Sequence, residues 1–236
     1  MMKLPFHKMQ AQGNDFVVIN GLEVELPELT ESAVKSMTER RFGIGCDQLL
    51  VLEADERTDA RMRIYNNDGT EALNCGNGLR CVGHLLMRYF DKDIVSIALH
   101  DRQVHASRGS ANEICVEMGK ATIEHETEAH IDISIGNPHS VYFEATEAFP
   151  SNRNIEIITG QIADHIYIDI IERGAGRTLA CGSGACAVAV AVWKKEKHHR
   201  PLTIEMPGGT VTVSGSAENI WLTGSVHTVF SGIYQL

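Results

Sequence analysis

The sequence lacks three features that would mark a membrane, secreted or zinc-binding protein. No apolar run approaches the roughly 18 residues that a membrane-spanning helix needs. The N-terminal segment MMKLPFHK contains no apolar signal-peptide core, so we expect a cytoplasmic protein. No C-x-x-C pair occurs among the six cysteines, and neither a structural zinc site nor a small disulfide scaffold is indicated.

Positive charge is also scarce. The chain has 21 Lys and Arg against 31 Asp and Glu, which gives a formal net charge of −10. Because such a surface repels polyanions, neither nucleic acid nor an anionic membrane is expected as its main partner. With 236 residues, of which 43% are apolar, the chain can fold as one large domain or as two of about half that size.

Two of the cysteines share the same sequence context. Cys75 and Cys181 each open a Cys-Gly-x-Gly motif that leads into an apolar helical run, Leu79–Phe90 in one case and Ala185–Trp193 in the other. A thiol at a helix N-terminus meets unpaired N–H groups and the positive end of the helix dipole, which favours its thiolate. The cysteines that we interpret instead as small buried apolar side chains are Cys46, Cys81, Cys115 and Cys186.

The order of elements before and after these motifs repeats once along the chain. Each half has a Gly-Asn break, at Gly13-Asn14 and Gly136-Asn137, then strands, a Cys-Gly-x-Gly helix start and a strand meander. An internal duplication accounts for this order. The pattern predicts an α+β fold of two pseudo-symmetric halves, each a mostly antiparallel sheet wrapped around a central helix.

The predicted boundaries of the halves follow from the same pattern. The first half comprises residues 1–118 together with a C-terminal strand at 227–236, and the second comprises residues 119–226. Residues 119–130 have little pattern and many charges, so they are the candidate linker. We expect the active site in the cleft between the halves.

Two thiols that face one small molecule are suited to a particular reaction. If Cys75 and Cys181 lie on opposite faces of an α-carbon, one thiolate can remove its proton while the other thiol protonates the opposite face. Amides at two helix starts would hold the substrate carboxylate and stabilise the carbanion in a dry cleft. This chemistry needs neither a metal nor pyridoxal phosphate, and no motif for either occurs, so no cofactor is expected. His139 and Glu172 are candidates for tuning the balance of thiol and thiolate.

Nearly end to end, the chain resembles the diaminopimelate epimerase family. The motifs that carry this resemblance are Gly13–Phe16, Gly45–Gln48, Tyr65-Asn66, Asp68-Gly69, Asn74–Gly78, Gly136–His139, Asn154, Glu172–Gly174, Ala180–Cys186 and Pro207–Gly209. The resemblance implies a cofactor-independent epimerase that interconverts LL- and meso-2,6-diaminopimelate in lysine and peptidoglycan biosynthesis. It also implies a homodimer with a small amino-acid substrate.

Carried over by position, the resemblance implies a role for each matching residue. The two acid/base residues would be Cys75 and Cys181, with His139 and Glu172 beside them at the reacting amine. The amides that hold the reacting carboxylate would be those of Gly76, Asn77, Gly182 and Ser183. The distal end of the substrate would be held by Asn66, Asn137, Asn154 and Arg173, and the pocket lined by Asn14 and Gln48.

The chain departs from the family pattern at a few places, which keeps alternatives open. Arg177 stands where the family usually has Glu, Gln10-Ala11 where it has His-Gly, and the regions 118–131 and 143–154 are short. A cation at Arg177 would change substrate preference or thiolate stability. The alternatives are a racemase of another amino acid, of histidine or hydroxyproline type, a non-catalytic amino-acid-binding module and a dithiol redox site.

Overall fold

A computed structural model describes residues 3–144, 146 and 148–236. Ala145 and Glu147, in one of the two short regions, lie outside the described residues, as do Met1 and Met2 at the start of the first predicted half. The chain forms two compact units, 1–114 with 225–236 and 115–224. Among the described residues, no helix is long and apolar enough to cross a membrane.

The described residues of the two units form eighteen strands and three helices. The elements of the first unit are β1 (Lys3–Ala11), β2 (Asn14–Asn20), α1 (Glu31–Thr38), β3 (Gln48–Glu53), β4 (Ala60–Asn66), β5 (Glu71–Ala72), α2 (Gly76–Phe90), β6 (Ile94–Ala98) and β7 (Gln103–Arg108). The next strand, β8 (Glu113–Gly119), lies mostly in the second unit and pairs with β17. Those that follow are β9 (Thr122–Glu126), β10 (His130–Ser134), β11 (Pro138–Tyr142), β12 (Asn154–Ile162), β13 (His165–Glu172), β14 (Gly176–Arg177), α3 (Gly182–Glu196), β15 (Leu202–Met206), β16 (Gly209–Ser216) and β17 (Asn219–Ser225). The last strand, β18 (His227–Gln235), belongs to the first unit.

In the first unit, the sheet runs in the order β18, β1, β2, β3, β4, β6, β7, with β5 also paired to β4. The β2–β3 and β4–β6 ladders are parallel and the others antiparallel. The turn from β1 to β2 uses Gln12 and Gly13, both at positive φ, as a two-residue hairpin turn requires. Helix α2 packs against β1, β2, β6 and β7, so the sheet wraps around it.

The second unit repeats this plan. Its sheet runs β9, β10, β11, β12, β13, β15, β16, β17, with β14 also paired to β13 and parallel ladders at β11–β12 and β13–β15. Helix α3 packs against β10, β11, β12, β15 and β16. The predicted fold class is confirmed. The linker prediction is wrong in part, because residues 122–126 of that segment form β9, an edge strand whose side chains are mostly exposed.

The two central helices correspond residue by residue. Each has 15 residues, a cysteine as N-cap and a left-handed C-cap, Asp91 in α2 and Lys197 in α3. Both begin earlier than the apolar runs predicted, because the Gly-x-Gly segments already form the first turn. All of α3 from Gly182 to Trp193 is buried, as expected for a helix that is apolar all round.

The surface helix α1 has Thr30 as its N-cap. The Thr30 side chain accepts a hydrogen bond from the Ala33 amide, which satisfies one of the free N–H groups of the first turn. The helix ends at Thr38.

Candidate active site

In the first unit, Cys75 is fixed at the start of α2. Its Sγ accepts a hydrogen bond from the Gly78 amide at 3.3 Å, so the sulfur itself caps the helix. A Cβ at Gly78 would lie 3.0 Å from a Leu50 methyl group and 3.3 Å from this sulfur. Glycine therefore lets the helix start approach both β3 and the thiol closely.

A chain of amide hydrogen bonds orients the polar residues around this helix start. Asn77 donates to Asn14 Oδ1 at 3.2 Å, and Asn14 donates in turn to Asp47 at 2.8 Å. The fully buried Arg80 donates to Asn77 Oδ1 at 3.0 Å. Each of these two amides is thus held on both its oxygen and its nitrogen side, which fixes its orientation. The two remaining candidates of this unit also pair, since Gln48 donates to Asn66 at 2.9 Å.

A network of ion pairs lies next to Asn14 and includes Asp47. Asp15 forms ion pairs with Lys8 at 2.6 Å and Arg40 at 2.7 Å, and Arg40 also reaches Asp47. Burial alone would raise the pKa of Asp15, but the hydrogen bonds from Arg40 and Lys8 together outweigh it and hold that pKa well below its ordinary value. The Asp15 carboxyl is therefore ionised at neutral pH.

We expect Asp15→Asn to lower the free energy of unfolding at pH 7 by about 1–3 kcal/mol. Because the folded-state pKa of Asp15 is depressed, its contribution is present above the unfolded-state value and is lost as the pH falls towards the folded-state one. Urea unfolding at pH 7 and pH 3 should therefore show a difference from the wild type that shrinks on acidification. Asp93→Asn is the control, since Asp93 pairs with Arg108 on the exposed surface. Equal stability of Asp15→Asn and the wild type at pH 7 would contradict this account.

In the second unit, Cys181 is the N-cap of α3 and is buried. Its Sγ lies 3.6 Å from the Ser183 hydroxyl, which accepts a hydrogen bond from Asn137 at 3.3 Å. The Asn137 Oδ1 lies 3.1 Å from His139 Nε2. His139 Nδ1 lies 2.8 Å from Glu156 Oε1, and both side chains are fully buried. A continuous polar chain therefore runs from β12 to the thiol.

The charge state expected for Cys181 from its position alone is wrong. Burial and the neighbouring Glu172 and Glu156 carboxylates raise the pKa of the Cys181 thiol well above its ordinary value. The Ser183 hydroxyl and the Gly184 amide act in the opposite direction and are outweighed. Burial also raises the pKa of Glu172, against a hydrogen bond from Cys181. The helix start favours a thiolate, but its surroundings favour the protonated thiol.

The remaining candidates of this unit lie at the ends of β12 and β13. Asn154 is buried, and its Oδ1 accepts a hydrogen bond from the Arg173 amide at 2.9 Å. The Arg173 side chain is exposed in the turn that follows β13. Asn154 therefore fixes the backbone that presents this guanidinium.

Arg177, the unusual cation, has a structural partner. Its guanidinium lies 3.2 Å from Asp169 across the β13–β14 ladder and is 69% exposed. At the equivalent ladder position of the first unit, Glu71 pairs with Arg63 at 3.0 Å. The two units thus carry the same surface ion pair with its charges exchanged.

The predicted residues fall into two sets, one in each unit. The set in the first unit is Asn14, Gln48, Asn66, Cys75, Gly76 and Asn77. The set in the second unit is Asn137, His139, Asn154, Glu172, Arg173, Cys181, Gly182 and Ser183. The sequence reasoning missed Glu156, although an acidic residue inside the apolar strand 154–158 was a visible hint.

The cysteines interpreted as core behave as such, with one exception. Burial raises the pKa of Cys46 and of Cys81 to about 12, and Cys186 is fully buried. Cys115 is only half-buried.

Solved structures with the same fold are epimerases or related proteins. A predicted epimerase from Pseudomonas aeruginosa superposes with a TM-score of 0.78 over 99% of both chains at 12% identity. A hydroxyproline epimerase from Agrobacterium vitis superposes with a TM-score of 0.70 at 13% identity, over 99% of this chain and 93% of that one. The fold and its two cysteine-capped helices thus define the class, a duplicated α+β protein of the epimerase fold.

Sequence similarity narrows the class to a family. The family model for diaminopimelate epimerase matches residues 6–124 and 139–229. The diaminopimelate epimerase of Phenylobacterium zucineum is 35% identical to the chain, and the match covers 98% of both proteins. That of Halorhodospira halophila is 33% identical, and the match covers 98% of the chain and 95% of the relative. The chain belongs to the diaminopimelate epimerase family.

Proposed function

We propose that the chain interconverts LL- and meso-2,6-diaminopimelate by transferring the α-proton between Cys75 and Cys181. The observation that carries this proposal is the pair of equivalent helix starts, one per unit, each with a cysteine as N-cap and two glycines in the first turn. A single activated thiol suffices for many reactions, whereas two equivalent ones suit an inversion at carbon. The substrate assignment is supported by membership of the family.

The reacting carboxylate would bind to the first-turn amides of both helices. The first N–H groups of a helix have no partner within it, and the dipole there favours an anion. The amides that we assign to this role are those of Gly76, Asn77, Gly182 and Ser183. The same field stabilises the negative charge that develops when the α-proton leaves.

The two thiols differ in their surroundings, which suggests the resting protonation state. The Cys75 sulfur accepts a hydrogen bond from the Gly78 amide at the helix start, while burial and two neighbouring carboxylates favour the thiol form of Cys181. In one direction the Cys75 thiolate takes the α-proton, the carbon takes a proton from Cys181, and the Cys181 thiolate remains. The opposite stereoisomer uses the same two steps in reverse.

The other residues would orient the substrate. His139 and Glu172 would contact the reacting amine beside Cys181. The residues that we assign to the distal amino-acid end are Asn66, Asn137, Asn154 and Arg173, with Asn14 and Gln48 lining the pocket. A guanidinium suits the distal carboxylate, and amide oxygens suit the distal ammonium.

The setting of this activity is also a proposal. We infer a cytoplasmic enzyme of lysine and peptidoglycan biosynthesis that does not bind nucleic acid, in keeping with the net charge of −10. We also infer a homodimer. It is supported by three exposed apolar side chains on the terminal strand β18, those of Val229, Phe230 and Ile233.

Exchange of the α-proton tests the proposed activity. The protein is incubated in deuterated water with a reductant and LL-diaminopimelate, and deuterium incorporation and meso product are followed by NMR and chiral chromatography. We expect both with diaminopimelate and neither with histidine or hydroxyproline. Exchange of histidine or hydroxyproline alone would support another racemase. No exchange with any of the three would contradict an epimerase.

A further inference from the structure

The pair of His139 and Glu156 is an unusual feature of the second unit. Both side chains are completely buried, and His139 Nδ1 lies 2.8 Å from Glu156 Oε1. The other oxygen, Oε2, has no hydrogen-bond partner among the residues that the structure describes. Burying an acid with an unsatisfied oxygen costs about 1–3 kcal/mol. Such a pair is seldom retained for stability alone.

The first unit shows that the fold does not need this pair. In the parallel ladder β11–β12, His139 is opposite Asn154, and Glu156 follows two residues later. In the corresponding ladder β2–β3, Phe16 is opposite Gln48, and Leu50 follows two residues later. Phe16 and Leu50 are both fully buried. The same architecture is therefore built once with an apolar pair and once with a pair of ionisable side chains.

Glycine at the start of α3 makes room for the carboxylate. A Cβ at Gly184 would lie 2.3 Å from Glu156 Oε1, far inside van der Waals contact. The carboxylate therefore packs directly against the first turn of α3, where the helix dipole favours its negative charge. A ring nitrogen of His139, a carboxylate oxygen of Glu156 and the Sγ of Cys181 all lie within 4.8 Å of one another.

We infer that Glu156 is a positioning residue that fixes the orientation of His139 and sets the charge beside Cys181. This inference rests on the proposed function, which makes Cys181 one of the two acid/base residues. A carboxylate that accepts the Nδ1 proton turns Nε2 towards the Oδ1 oxygen of Asn137, and the amide nitrogen of Asn137 donates to the hydroxyl of Ser183. The polar chain described above then ends at the Cys181 sulfur.

The charge of Glu156 has a second consequence at the thiol. The groups that face Cys181 are Glu156 from β12, Glu172 from β13 and His139 from β11. The two carboxylates disfavour a third negative charge, so the thiol keeps its proton until the carbanion takes it. By the same effect, the thiolate that remains is a stronger base for the reverse direction.

The variant Glu156→Gln keeps the size of the side chain and removes its charge. We expect kcat to fall about 10- to 100-fold in both directions, with KM within about threefold of the wild type. The alkaline limb of the pH–rate profile should move to lower pH, because one of two charges that raise the pKa of Cys181 is gone. If Glu156→Gln had the kcat of the wild type and an unshifted alkaline limb, the inference would be overturned. It would also be overturned if the variant lost activity only in proportion to the loss of folded protein.

Nitrogen-15 NMR of His139 tests the contact without relying on any variant or on turnover. In the wild type we expect a proton on Nδ1 in slow exchange, and its loss or upfield shift in Glu156→Gln. A wild-type ring with a bare Nδ1 would overturn the inference even if Glu156→Gln failed to fold. Because this measurement needs no substrate, it separates a failure of the contact from a failure of the proposed epimerase activity.

The control variant is taken from the first unit. The double variant His139→Phe/Glu156→Leu recreates the Phe16 and Leu50 pair within the second unit. We expect it to fold with unchanged or higher stability and to have no measurable turnover. A large loss of stability in this variant would show that the charged pair serves the fold and would overturn the inference.

Discussion

The variants Cys75→Ala and Cys181→Ala should each lose epimerisation activity by about 10³-fold or more while the protein stays folded. In a two-base reaction, each thiol acts as base in one direction and as acid in the other, so neither direction survives the loss of either. Both cysteines are N-cap residues, but only the Cys75 sulfur accepts a capping hydrogen bond, and loss of such a group costs about 0.5–2 kcal/mol. We therefore expect nearly native thermal unfolding and circular dichroism.

The matched controls are the second cysteines of the same helices. Cys81 in α2 and Cys186 in α3 are fully buried, and the proposed reaction uses neither. Alanine at these positions should retain turnover within a fewfold, with a small loss of stability from the cavity. Substantial epimerisation by Cys75→Ala or Cys181→Ala would rule out the two-base mechanism. Comparable inactivation by Cys81→Ala would show that the effect is not specific to the helix starts.

The fold was largely predictable because its information is local and occurs twice. Alternating strands and two apolar helical runs, each introduced by Cys-Gly-x-Gly, gave the element order of both units. Strand β9 was not predicted because its residues are mostly exposed and polar, so neither burial nor alternation indicates a strand there. It exists because the edge of β10 offers hydrogen bonds to any extended segment.

The chemical state of Cys181 could not be predicted from its own neighbourhood in the chain. Its position before a glycine-rich helix start predicts a thiolate, and the helix start is indeed there. The opposing charges come from Glu156 and Glu172, which two different strands bring to the thiol. Since their electrostatic effect depends on distance and burial, only the folded chain determines which influence dominates.

Glu156 illustrates how alternation misleads in a strand that is buried on both faces. Ile155 and Ile157 alternate with it and pack with Tyr142 in a small apolar cluster. Alternation therefore places Glu156 on the opposite, apparently solvated face. In the structure that face is covered by α3, at the point where Gly184 leaves space. The glycine in the motif and the acid in the strand are two parts of one arrangement.

That arrangement makes Gly184→Ala a disruptive substitution in the second unit. The new Cβ would lie 2.3 Å from Oε1 and 2.9 Å from Cδ of Glu156, so the carboxylate or the start of α3 must move. Overpacking of this kind costs about 1–3 kcal/mol, only partly offset by the better helix propensity of alanine. Because a displacement of 1 Å at the reacting groups can reduce the rate about 100-fold, we expect kcat to fall by at least that factor.

Gly78→Ala in the first unit is the matched control for this effect. Its Cβ would lie 3.0 Å from a terminal methyl group of Leu50, which can rotate away, so we expect a smaller loss of stability. Adding Glu156→Ala to Gly184→Ala should restore stability but not turnover, because the clash is relieved while His139 loses its partner. Denaturant unfolding and turnover are measured for all four proteins, including the wild type. If Gly184→Ala were as stable and as active as the wild type, the close packing of Glu156 on α3 would have no role in the site.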